Sequence, residues 1–172
     1  GTRCTSYYPL AVSLTQWHNE CYNSSNEQLA LVISRKIVQH ARDVYEEDRM
    51  TFRRLFEVHC SHLFTVQIFL EEFPNFALED LGRGQLPIYV ACIRKGERSV
   101  IRLLVDSAPK TVTSQAFSGR TPLHFALNCD TSKLCDLPSL APLIVTEALS
   151  IRDNQGETPL HVACFQADHP GM

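Results

Sequence analysis

The chain has 172 residues, an apolar fraction of 44% and a formal net charge of −3. That length suits one domain with a substantial core, and so small a charge argues against nucleic acid or an anionic membrane as partner. The longest apolar run, near residues 63–70, is broken by Thr65 and Gln67, well short of the roughly 18 residues of a membrane span.

Residues 1–24 mix Tyr7, Tyr8, Pro9 and Trp17 with polar residues and show no clean period, so an N-terminal arm is expected there. From Ser25 the pattern sharpens. Ser25 and Gln28 fit a capping box, and Leu29, Ile33, Ile37, Ala41 and Val44 recur at helical spacing, with Arg35, Gln39, Arg42 and Glu46 on the other side. An amphipathic helix over residues 26–48 follows, capping or flanking what comes next.

What comes next is a repeated stretch. Gly119-Arg-Thr-Pro-Leu-His-Phe-Ala-Leu127 returns as Gly156-Glu-Thr-Pro-Leu-His-Val-Ala-Cys164, and a worn copy precedes them as Gly84-Gln-Leu-Pro-Ile-Tyr-Val-Ala-Cys92. The glycines are 35 and 37 residues apart. Each stretch reads as a turn followed by a helix start. Glycine supplies unusual backbone angles, Thr121 and Thr158 can cap, and Pro122 and Pro159 sit at the first helical position, where a missing N–H costs nothing. Upstream, Val66, Ile68, Phe69, Leu70 and Pro74 lie 35 residues before Ile101, Leu103, Leu104, Val105 and Pro109. This makes residues 49–83 a degenerate first copy, as terminal repeats usually are. Units are therefore expected at 49–83, 84–118, 119–155 and 156–172, the last truncated. Second helices are expected over 99–107 and 139–148, the latter with Pro142 in its first turn. The link 128–138 is unusually long and carries the turn formers Asp130, Ser132, Asp136 and Pro138.

The residues with chemical potential are few. His59-Cys60-Ser61-His62 is the densest ligand-like cluster, but no second cluster completes a tetrahedral zinc set, and a turn between helices is the expected reading. Cys129 and Cys135 lack a base in sequence. None of the seven cysteines forms a Cys-x-x-Cys pair. Scattered thiols of this kind fit a reducing compartment, cytoplasmic or nuclear, and no secretory pattern is visible. His124 and His161 recur at one repeat position, so each imidazole is expected to bond backbone near a loop and lock one unit to the next. No phosphate loop or hydrolase motif is present. No catalytic residue, metal or cofactor is expected.

Thr-Pro-Leu-His-x-Ala at this period resembles the ankyrin repeat, over residues 49–172. The resemblance implies an all-α fold, an ankyrin-type helical repeat solenoid of helix–turn–helix units with hairpin-like loops, preceded by a flanking helix. It also implies a monomeric, non-enzymatic module that binds another protein through loop tips and the exposed face of each first helix. In this sequence those positions are Arg83, Gln85, Ile93 and Arg94, then Phe117, Ser118, Arg120, Asn128 and Cys129, then Asn154, Gln155, Glu157, Phe165 and Gln166. Phe117 and Phe165 are large apolar groups of the kind that anchor interfaces. The alternative is a targeting segment of a larger enzyme or channel whose chemistry lies outside this chain. Leu123 should be buried, Arg120 a replaceable loop-tip residue, and the last helix should expose Val162 or Phe165.

Overall fold

A computed structural model describes residues 27–45, 49–94, 96–128 and 140–168. The expected arm, the Ser25 cap and most of the long link, with Cys129 and Cys135, lie outside the described residues. Among the described residues every regular element is helical and none is a strand.

Helix α1 (Glu27–Tyr45) buries Ile33, Ile37 and Ala41 at the spacing of one helical face, with Ser34 and Val38 beside them. It packs on both α2 (Arg49–His59) and α3 (Leu63–Glu72). A buried hydrogen bond between the Ser34 and Thr65 hydroxyls, 3.0 Å, fixes the α1–α3 contact from within. Outside, Arg42 pairs with Glu72 at 2.9 Å and the Tyr45 hydroxyl donates to Glu79 at 2.8 Å.

Beneath α1 the core is aromatic. Phe52, Phe56, Phe69 and Phe76 are fully buried, and Phe56 meets Phe76 and Phe69 edge-on at 4.8 and 5.5 Å between ring centroids. Such pairs contribute about 0.5–1.5 kcal/mol each beyond the area they bury. This unit has lost the glycine and the Thr-Pro start, and interlocked rings hold it instead. The expected turn at His59–His62 is where α2 ends and α3 begins.

Five further helices and three 3₁₀ turns complete the described residues. Helix α4 (Pro87–Ile93) starts at proline after an uncapped Leu86. Helix α5 (Arg98–Ser107) buries Val100, Ile101 and Leu104 and leads into the 3₁₀ turn Pro109–Thr113, as α3 leads into the turn Phe76–Leu78. Helix α6 (Pro122–Leu127) begins at the Thr-Pro step. After the 3₁₀ turn Ala141–Leu143 come α7 (Thr146–Ser150) and α8 (Pro159–Asp168).

The helices that open each copy pack in sequence order: α4 on α2, α6 on α4, α8 on α6. The second helices follow suit, α5 on α3 and the Ala141–Leu143 turn on α5. The single helix expected over 139–148 does not form. Pro142 has no N–H to donate, and Ile144 and Val145 leave the helical region, with ψ of 81° and 148°. Two short pieces result, and α7 is the counterpart of the Pro109–Thr113 turn against which it packs.

Leu123 and Leu160 occupy one repeat position, on α6 and α8, yet Leu123 is 1% exposed and Leu160 is 66% exposed. Helix α8 covers α6, and no described residue covers α8 in the same way. Val162 faces inward and is buried, so the last helix exposes Leu160 and Phe165 rather than Val162. Leu123→Ala is expected to cost roughly 2–5 kcal/mol and Leu160→Ala about 0.5 kcal/mol. Denaturant midpoints of the two variants check this, and equal losses would mean that α6 and α8 are equally covered.

Candidate partner-binding surface

The three unit-opening turns share one geometry. The N–H three residues before the glycine donates to the carbonyl one residue after it: Leu81 to Gln85 at 2.9 Å, Ala116 to Arg120 at 3.0 Å, Asp153 to Glu157 at 2.8 Å. Gly84, Gly119 and Gly156 all take left-handed φ, 68°, 74° and 81°, which a side chain resists. At Gly119 space is short as well, because a Cβ there would run into the backbone and side chain of Asn154.

The first three opening helices each send one polar side chain to the following turn region. From α2, Arg53 donates to the Leu81 carbonyl at 3.0 Å and to Gln85 at 2.8 Å. From α4, the Tyr89 hydroxyl meets that of Ser114 at 2.8 Å. From α6, His124 Nε2 reaches the Glu157 carbonyl at 3.1 Å. That carbonyl can only accept, so Nε2 carries the proton. Nδ1 is then left to accept the Thr121 N–H at 3.1 Å, which completes a reciprocal capping box. Burial holds the imidazole below its usual pKa, against the Glu157 carbonyl, which favours the charged form. The neutral ring is thus the form that fits. His124 bonds backbone and ties one unit to the next, as its recurrence implied.

The last turn is built around Asp153, whose side chain is almost wholly covered. One carboxylate oxygen accepts the N–H groups of Gln155 and Glu157 at 2.9 and 3.0 Å, and the other accepts Arg120 Nε at 3.0 Å. Burial opposes the charge, but these donors outweigh it and hold the carboxyl below the usual carboxylate range. Arg120 is therefore no free loop-tip residue. Its guanidinium neutralises a buried carboxylate, with Glu157 at 3.7 Å as a second partner. The sequence offered a signal for this in the Asp153-Asn-Gln-Gly156 spacing, a turn with a self-bonding side chain at its start.

Neighbouring turns are stitched together. Asn154 donates from its side chain to the Phe117 carbonyl at 2.9 Å and from its backbone to Ser118 at 3.1 Å. Gln115 donates to the Gly119 and Arg152 carbonyls at 2.6 and 3.0 Å. The candidates accordingly divide. Gln85, Arg120, Asn154 and Glu157 hold the turns in place, whereas Arg83, Phe117, Ser118 and Gln155 present exposed side chains at the tips. Phe117 is 75% exposed, and its ring leans over Gly84, where a Cβ would come within 2.9 Å.

A second group lies at the ends of the opening helices. Ile93, Asn128 and Phe165 share one register position, 35 and 37 residues apart, and all are exposed. Val58, 35 residues before Ile93, is exposed too. Reading by motif missed Val58, since its unit lacks the glycine and Thr-Pro, although the period alone points to it. Arg94, beside Ile93, pairs with Glu57 at 3.4 Å. Cys129 and the side chain of Gln166 lie outside the described residues.

The His59–His62 turn is closed off. His59 and Cys60 are buried, burial pushes the Cys60 thiol up to about 12, and its S–H donates to the Glu57 carbonyl at 3.4 Å. Among the described residues, no three His, Cys, Asp or Glu side chains are grouped to hold a metal ion, and no helix is long and apolar enough to cross a membrane. No family model matches the chain.

Asp153 generates a pH test. Its folded pKa is lowered, so its contribution is complete above the ordinary carboxylate value and is lost as pH falls through the folded value, in a window below about pH 4. Asp153→Asn is expected to cost about 1.5–3 kcal/mol at pH 7, the range for hydrogen bonds to a charged group, and to flatten the loss of stability below pH 4. Arg120→Ala leaves the carboxylate without its cation and should cost a similar amount. Urea titrations across pH 2–7 for both variants give the answer.

Proposed function

We propose that this chain is an ankyrin-type repeat module that binds another protein and performs no catalysis. The observation that carries this reading is the turn repeated three times: a left-handed glycine, the same backbone bond across it, and a proline-led helix directly after it. A stack of such units has an extended surface rather than a reaction chamber. Its chemistry is spent internally, since Arg53, Tyr89, His124 and the Arg120–Asp153 pair all hold one unit to the next. What is left for a partner is two strips. One is the turn tips, led by Arg83 and Phe117. The other crosses the helix ends, led by Val58 and Ile93. Packed helices lie about 8–10 Å apart, so side chains along the second strip match a partner with apolar groups at that interval. The partner is read as a protein because the strips combine exposed apolar anchors with little net charge.

The full chain, immobilised as bait, tests this reading. Val58→Ser with Ile93→Ser alters one strip and Phe117→Ser the other, and exposed substitutions of this kind shift stability by only about 0.5 kcal/mol. A partner that depends on an anchor should bind roughly 30-fold more weakly once that anchor is lost. A partner held equally well by both variants, with helical content intact, would rule out both strips as the binding surface.

A further inference from the structure

The helix-end strip is bordered mainly by positive charge. Arg54 stands on α2 one turn before Val58, and positions four apart share a helix face; both side chains are exposed. Arg94 follows Ile93 directly, with 53% of its side chain exposed. The link after it folds back on α4, where the Gly96 N–H donates to the Ala91 carbonyl at 2.8 Å. This keeps the start of α5, and with it the exposed Arg98, beside the end of α4.

The carboxylates at this end are already engaged. Glu57 gives one oxygen to Arg53 at 2.8 Å and the other to Arg94 at 3.4 Å. Glu97 accepts the Ser99 hydroxyl at 3.4 Å. Burial lowers the pKa of His62, and Glu97 lies close enough to oppose that shift. Arg54 and Arg98 pair with no carboxylate among the described residues. A chain of net charge −3 thus sets spare guanidinium groups beside an apolar strip. An excess this small decides which partner binds, and how fast it arrives, more than how tightly.

The apolar pair adds a constraint of shape. Helices α2 and α4 pack on each other, which puts Val58 and Ile93 about 8–10 Å apart. On an extended strand, residues sharing a face lie about 6.6 Å apart, or about 13 Å at the next step, and both miss that interval. On a helix, residues seven apart share a face and rise about 10.5 Å.

We infer that the helix-end strip binds an acidic amphipathic helix of a partner protein. Two apolar side chains, two turns apart on that helix, meet Val58 and Ile93, and carboxylates beside them face Arg54, Arg94 and Arg98. The inference rests on the reading of the strip as a binding surface and adds the partner's charge and shape. A neutral helix would gain nothing from the guanidinium groups, and a basic one would be repelled. A nucleic acid would meet the charge but find no aromatic ring there on which to stack its bases.

The test measures fluorescence anisotropy of labelled helical peptides with the full chain at low salt. Each peptide carries two leucines seven residues apart in an alanine background, flanked by Glu in one and by Gln in the other. The Glu peptide is expected to bind roughly tenfold more tightly, the sum of a few weak exposed ion pairs, and to gain helix by circular dichroism on binding. That advantage should vanish near 1 M salt, where charges are screened beyond about 3 Å. Arg54→Gln with Arg98→Gln should remove most of it and leave the Gln peptide unaffected. Val58→Ser with Ile93→Ser should weaken both peptides. If the two peptides bind alike and still depend on Val58 and Ile93, the strip stands as a binding surface and the acidic partner falls. If Val58→Ser with Ile93→Ser changes nothing, or neither peptide binds at millimolar concentration, the strip falls and the inference with it. A Glu peptide that binds without becoming helical, or a DNA duplex that displaces it, would also overturn the inference.

Discussion

The fold depends on single polar side chains that cross from one unit to the next, and His124 is the most constrained of them. Its ring closes the cap of its own helix at one nitrogen and holds the following turn at the other. Both bonds need the neutral, Nε2-protonated ring: burial favours the neutral form, and the two bonds fix the tautomer. A hydrogen bond of this kind contributes only about 0.5–1.5 kcal/mol net, but leaving a buried donor or acceptor unmet costs more. The latch therefore acts mainly on register. A neighbour that slips leaves buried groups unsatisfied, so only one seating of α8 against α6 meets every demand.

The same task falls to different residues where the repeat has drifted. Arg53 serves in the first unit, with two carbonyl-region contacts and a link to Gln85. Tyr89 serves in the second, at the position His124 holds in the third, and its hydroxyl finds Ser114. The repeat therefore conserves a requirement of position, a polar group that reaches the next turn, and tolerates several chemistries. Where even the turn signal is gone, bulk replaces it. The Phe52, Phe56, Phe69 and Phe76 cluster closes the N-terminal end under α1, with no glycine or capping threonine to organise it.

Much of this was legible in sequence, because the informative residues are those with narrow backbone roles. Glycine at left-handed φ and proline at the first helical position located three turns and three helix starts, and helical spacing located α1 and its buried face. Less legible was whatever depends on a distant partner. Arg120 sits in a turn like any surface arginine, and only the fold reveals Asp153 beneath it. Val162 and Leu160 are both apolar on α8, and only the packing of α8 on α6 says which of them turns inward. The break at Ile144 and Val145 was local and could be read, but apolar spacing alone favoured one continuous helix.

The two exposed strips differ in what holds them, and this bears on how each would meet a partner. The turn tips are tied by Asn154, Gln115 and Arg120 into a row of backbone bonds between successive units. Phe117 rides on that row with its ring against Gly84, an arrangement that would lower the ordering cost of any contact made through that ring. On the helix-end strip Arg94 pairs with Glu57 at 3.4 Å. Val58 and Ile93 stand on successive opening helices, α2 and α4, which pack on each other. The interval between these two exposed side chains therefore follows from how closely those helices pack, whereas the turn tips take theirs from backbone bonds between turns.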